Sequence, residues 1–178
     1  SREEVAKEVR ELIARSEKET RDIIREVEDR MRRSKEETEE VIKEVKRLLE
    51  EVKKRLEEKG ISEELRESVD RVEETVRRLL TKLREDSERL RRRLRKLLEE
   101  IRRESERLKE EVERLIRRNE GDAEEILRTV KKVVDRDREL AKRLLDEARE
   151  LVRTNRELVK RVLETVTRLV KKIDDEAR

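Results

Sequence analysis

The stretch "ARSEKETRDIIREVEDRMRRSKEETEEVIKEV" (14–45) decides how the rest of the chain is read. The phrase Ser-x-x-x-Thr occurs in it twice, at Ser16 and Thr20 and again at Ser34 and Thr38, 18 residues apart. The aliphatic residues around these pairs step by three or four: Ile13, Ile24, Val27, Met31, Ile42, Val45. Such steps mark one face of an α-helix, and the hydroxyl pairs fall on that same face. Side chains that ordinarily avoid a core therefore stand at regular places within one.

The stripe extends in both directions, from Val9 through Leu49, Val52 and Leu56. A second stripe holds Leu65, Val69, Val72, Val76, Leu79 and Leu80. It returns 18 residues later as Leu83, Ser87, Leu90, Leu94, Leu97 and Leu98, and again as Ile101, Ser105, Leu108, Val112, Leu115 and Ile116. A third runs Ile126, Leu127, Val130, Val133, Val134, Asp137. It maps onto Leu144, Leu145, Ala148, Leu151, Val152, Asn155, and then onto Val162, Leu163, Val166, Leu169, Val170, Ile173. Eighteen residues make about five turns at 3.6 per turn, the period of a straight helix, whereas a seven-residue repeat imposes a left-handed supercoil. The pattern asks for nearly straight, nearly parallel axes.

Two glycines punctuate the 178 residues. In "EKGIS" (58–62), Gly60 suits a left-handed helix end, Ile61 its hydrophobic contact and Ser62 the next N-cap. In "NEGDAEE" (119–125), Gly121 ends a helix, Asp122 caps the next and Glu125 completes a capping box. These signals predict three helices, about 2–59, 62–119 and 122–177, each about 85 Å long at 1.5 Å per residue. Short loops make consecutive helices antiparallel neighbours, so the expected fold is all-α, one elongated up-down-up three-helix bundle spanning 1–178. Val5, Leu12, Ile23, Val41 and Leu48 widen the first stripe, and Ala123, Leu140, Ala141, Leu158 and Val159 the third. Stripes this wide suit helices that face two neighbours.

Composition agrees. Charged residues make up 58% and aromatic residues 0%, with no His, Cys or Pro. That diet with helical periodicity belongs to coiled coils and long helices, not to disordered chains, which lack regular apolar spacing. The net charge is +3, and no third of the chain departs from neutrality by more than about two charges, which gives no footprint for nucleic acid. The densest basic run, "RRRLRKLL" (91–98), reads as a solvated helix face whose Arg91, Arg92, Arg95 and Lys96 have Glu88, Glu99 and Glu100 nearby. No apolar run is long enough to span a membrane, and the amphipathic faces lack the aromatic residues of membrane-surface helices.

The polar stripe positions fall into register. Reflected about the first loop, residues at equal height on the first two helices have numbers totalling about 121, as Ser16 with Ser105 and Ser34 with Ser87 do. About the second loop the total is 242, met by Ser105 with Asp137 and Ser87 with Asn155. One layer then holds Ser16, Thr20, Ser105 and Asp137, the other Ser34, Thr38, Ser87 and Asn155, about 27 Å apart at the helical rise. Grouped hydroxyls and amides can satisfy one another, and a buried one left alone costs ~1–3 kcal/mol. The alternative is that each hydroxyl bonds back to a carbonyl of its own helix, four residues earlier. A shared layer fixes helix register and rejects slipped pairings.

No catalytic, cofactor or metal site is assembled in the sequence. Asp137 is the single carboxylate on the central stripe and lacks a second carboxylate, a nucleophile or a cavity. A carboxylate-bridged metal in a bundle calls for Glu-x-x-His, and the chain has no His. The expectation is a protein that is not an enzyme and needs no cofactor or partner. It is expected to be monomeric, with self-association or a partner helix as the alternative, and to touch neither nucleic acid nor membrane.

With its 18-residue repeats, matched helix lengths, glycine-only loops, Glu/Lys/Arg surface and layered polar core, the chain resembles computationally designed, parametric three-helix bundles with buried hydrogen-bond networks. Ser1 at the first position fits a remnant of tag cleavage. Spectrin-like rods usually carry core Trp, and apolipoproteins carry prolines between helices; neither feature is present. The resemblance implies a scaffold with no natural activity and no natural compartment, soluble in the cytoplasm of an expression host.

Overall fold

The computed structural model describes residues 1–60, 63–119 and 121–176. Three helices account for nearly all of them: α1 (Arg2–Lys59), α2 (Glu63–Arg117) and α3 (Ala123–Glu176), with no strand among the described residues. The fold is an all-α three-helix bundle.

Each helix is built for its ends as well as its middle. Glutamates fill every first turn, at Glu3 and Glu4, Glu63 and Glu64, Glu124 and Glu125, where the positive end of the helix dipole favours them. Ser1 Oγ accepts the Glu4 N–H at 3.3 Å and so caps α1. Along the exposed faces, Glu precedes Arg by four in Glu67–Arg71, Glu74–Arg78 and Glu99–Arg103, the orientation that supports an isolated helix best. Arg47 forks between Glu44 and Glu51, and Arg153 between Glu150 and Glu157.

The second loop departs from the expected punctuation. Helix α2 stops at Arg117, and Asn119 takes the left-handed conformation at φ 57° ahead of Gly121 at 98°. Asparagine tolerates that region better than most L-residues, so the helix ends two residues before the expected 119. Asp122 Oδ1 accepts the Glu124 N–H at 3.0 Å, and the Asp122 carbonyl accepts the Ile126 N–H at 3.0 Å. The Glu125 carboxylate makes no return bond to Asp122 among the described residues, so the cap is the aspartate alone and not a capping box. In the first loop Gly60 adopts φ 60°; Ile61 and Ser62, read as its contact and the next cap, lie outside the described residues.

The chain divides into two compact units: Ser1–Asp29 with Arg89–Ala148, and Arg30–Glu88 with the chain from Arg149 onward. In the first unit, Ala6, Val9 and Ile13 of α1 pack with Leu108 and Val112 of α2 and Val130 and Val134 of α3. The pairs Arg136–Glu104, at 3.8 Å, and Arg93–Glu147 join α2 to α3 with numbers running in opposite directions, so these helices are antiparallel. Glu19 and Arg138 join α1 to α3 at 2.8 Å.

In the second unit, Val45, Leu49, Val52 and Leu56 of α1 meet Leu65, Val69 and Val76 of α2 and Val166, Leu169 and Ile173 of α3. A further cluster gathers Ile42, Leu79, Leu83 and Val159. Here α1 and α3 run in parallel, as shown by Glu37–Arg156 at 2.8 Å and by Arg55–Asp174. The three α1–α3 pairs recur at 18-residue steps, and in the third the signs are exchanged: acid on α1 in the first two, base on α1 in the last.

The aliphatic stripes occupy the core with two exceptions. Leu98 and Ile116 are each 38% exposed. They follow Leu97 and Leu115, which are buried, and one step of about 100° around a helix carries them past the seam. Ala141 and Val159, assigned to the edge of the third stripe, are instead buried within it.

Truncation should separate these classes. Leu108→Ala, at a site 2% exposed, is expected to lower unfolding free energy by about 2–5 kcal/mol. Leu98→Ala is expected to lower it by less than about 1 kcal/mol. Chemical denaturation followed by circular dichroism checks both.

Candidate functional site

Each polar layer lies within one compact unit. Ser16, Thr20, Ser105 and Asp137 belong to the first, and Ser34, Thr38, Ser87 and Asn155 to the second. Ser16, Thr20, Ser34, Asp137 and Asn155 are buried, whereas Thr38, Ser87 and Ser105 are half-buried. The apolar stripe that surrounds them holds them there: Ile13 and Ile24 flank Ser16 and Thr20 on α1, and Ile101 and Leu108 flank Ser105 on α2, all buried.

The hydroxyls do not fulfil either expected bonding scheme. Six other Ser and Thr side chains bond back to a carbonyl four residues earlier, among them Ser68 to Glu64, Thr75 to Arg71 and Thr129 to Glu125. The hydroxyls of the layers make no hydrogen bond among the described residues. They are not sealed from water, however. Of the sealed side-chain polar atoms without a hydrogen bond among the described residues, Arg55 Nη1 has Asp174 as its ion-pair partner and Glu104 Oε2 has none. A residue can be buried as a whole while its one oxygen still touches solvent, and solvent contact relieves most of the penalty of an unpaired hydroxyl. In the first unit that solvent has a visible route. A groove of about 490 Å³ between α1 and α2 is lined by Thr20 and Ser105, with Ile24, Leu98 and Ile101 as its apolar wall. Lys109 and Glu17 pair at 2.9 Å at its rim.

Asp137 differs from the rest. It is 5% exposed, and the group that acts on it is not a hydroxyl but the carboxyl of Glu104 on α2. This corrects the reading of Asp137 as a carboxylate without a second. Burial, then the charge of Glu104 and a hydrogen bond with it, push the Asp137 carboxyl up to about 7; Arg136 opposes this and Glu100 adds to it. Two ionised carboxylates only accept hydrogen bonds. A bond between them therefore needs a proton, and the raised affinity of Asp137 lets it carry that proton. Glu104 Oε2 is sealed and has no hydrogen-bond partner among the described residues. Glu104 Oε1 faces Arg136 at 3.8 Å.

Glu104 escaped the sequence reading because it stands one residue before Ser105, off the apolar stripe, where a glutamate ordinarily points into water. The signal that finds it is the height rule applied to flanking positions. Glu104 and Asp137 have numbers totalling 241, one short of the 242 that marks equal height.

The arrangement can hold and release one proton. Neither carboxyl lines the groove at Thr20 and Ser105, and among the described residues no three carboxylates converge to hold a metal ion. No helix is long and apolar enough to cross a membrane. Within "RRRLRKLL", Arg93 is engaged by Glu147 of α3. The chain matches no protein-family model, no curated protein and no solved structure.

Proposed function

We propose that this chain is a de novo designed structural scaffold whose two polar layers serve as register keys. The observation that carries the reading is the placement of polar stripe residues from all three helices within one compact unit for each layer. Buried polar groups stabilise little in themselves, but they penalise every alignment that carries them into purely aliphatic surroundings. In the intended alignment their hydrogen-bonding atoms share a layer and its water. In a slipped one they face leucine and valine. The 18-residue period of the apolar stripe makes such keys useful, because apolar packing alone distinguishes poorly between alignments one repeat apart. That period also favours untwisted helices. No nucleophile with its base and no metal-binding set accompanies the layers, which supports a role without catalysis, cofactor or obligatory partner.

A second reading has one observation in its favour. Leu98 is exposed and lines the α1–α2 groove, a surface on which a helix from another copy or another protein can lie. Light scattering coupled to size exclusion separates the two readings. The scaffold reading expects the mass of one chain, 21.7 kDa, at micromolar concentration; a mass of two or three chains would favour self-association.

The layers make a sharper test. Replacing Ser16, Thr20, Ser105 and Asp137 together by well-packed aliphatic residues is expected to keep or raise stability, since the desolvation cost leaves with the polar groups. Asn155→Leu alone is expected to gain little or to lose ~1–3 kcal/mol, because it adds bulk and strands its polar neighbours. If the layers are register keys, the aliphatic variant also populates misaligned forms, visible as additional amide resonances; a single sharp set would speak against that role.

A further inference from the structure

We propose that the carboxyl pair of buried Asp137 and half-buried Glu104 is a proton-operated latch on the seam between α2 and α3 in the first compact unit. Three structural facts place it there. Asp137 of α3 is 5% exposed. Glu104 Oε2 of α2 is sealed and has no hydrogen-bond partner among the described residues. Arg136, one residue before Asp137 and itself exposed, lies 3.8 Å from Glu104 Oε1. With one proton in the pair, Asp137 donates to Glu104 Oε2 and the seam is bridged by a charge-assisted bond. When the proton leaves to water, two adjacent carboxylates face each other as acceptors without a donor, and Glu104 turns outward to Arg136.

The charges that act on the pair are few. Glu104 and Glu100 come from α2 and Arg136 from α3. From α1, the stripe residues at that height are Ser16 and Thr20, which carry no charge. The nearby α1 carboxylates are engaged elsewhere, Glu19 by Arg138 at 2.8 Å and Glu17 by Lys109 at 2.9 Å. Nothing on α1 replaces the lost proton.

The second unit holds the internal control. Eighteen residues after Asp137 stands Asn155, also 5% exposed. An amide carries its own N–H donors at every pH, so that layer has no proton to lose. The latch therefore belongs to one unit and not to the other.

The sign follows from proton linkage. The closed pair holds its proton up to about pH 7, whereas in the opened seam a carboxyl returns to its ordinary value near ~4. Opening thus releases a proton between those values. The opening constant rises with pH by up to about tenfold per unit across that window and levels off above it.

Native-state amide hydrogen exchange by NMR, corrected for intrinsic exchange chemistry, reads this directly from about pH 5 to about pH 8. Amides near Ser105 and Asp137 are expected to open about tenfold more per pH unit up to about pH 7, and those near Ser87 and Asn155 to show no such slope. Asp137→Asn restores a donor that needs no proton and should abolish the slope while keeping protection. Glu104→Gln, which donates to an ionised Asp137, should do the same and serves where the first variant folds poorly. A flat profile around Asp137, an equal slope around Asn155, or a slope that survives in both variants would overturn the proposal.

Discussion

Aliphatic burial at the meeting of three helices is the interaction on which everything else depends. The chain has no aromatic ring to act as a large anchor and no cysteine to close a covalent loop. Its cohesion comes from many small apolar contributions, each about 0.8 kcal/mol per buried methylene. Val9, Val27, Val52, Val130 and Val166 are fully enclosed, at 0% exposure, and each lies in a stripe whose neighbours come three or four residues away. Valine and leucine without aromatics give a core of even thickness, so no single residue dominates. Such a core is strong in sum but says little about alignment. That is the ground for the proposal that the few polar positions within it specify alignment.

Much of this organisation is legible in the sequence. The apolar steps of three and four decide helix, number and approximate ends, and the two glycines mark where direction reverses. The division of the polar stripe residues into two sets also follows from counting. What escapes is whatever depends on how far a side chain reaches. Glu104 begins outside the stripe, yet its long chain carries a carboxyl inward to Asp137; periodicity records where a Cβ starts, not where four further atoms finish. Leu98 and Ile116 fail for the converse reason. They lie at the margin of a stripe broader than three helices can cover, and residue type alone does not tell which side of the margin is wet. Asn119 takes over a turn assigned to Gly121 because asparagine shares glycine's tolerance of positive φ without announcing it as clearly.

The hydroxyls teach a related lesson about the word buried. Thr20 is 3% exposed and makes no hydrogen bond among the described residues, yet its oxygen is not sealed. Placing a polar group at the floor of a groove lets one side chain serve two environments, its methyl against the core and its oxygen against water. The polar position is thus kept in the core without the full cost of drying a polar atom. Asp137 differs in its neighbour: burial and the charge of Glu104 raise its hold on a proton, which no neighbour does to a hydroxyl.

The exchanged signs in the last of the three α1–α3 ion pairs have a consequence of their own. Glu19–Arg138 and Glu37–Arg156 follow one rule, and Arg55–Asp174 the opposite. Exposed pairs of this kind add little to stability, so their value is better sought in information. A ladder with one rule throughout would look identical after sliding by one repeat. The inverted rung breaks that translational symmetry: slide α3 along α1 by 18 residues and Arg55 meets Arg156, base against base. The order of signs along the three pairs is therefore a short non-repeating word written in a repeating sequence.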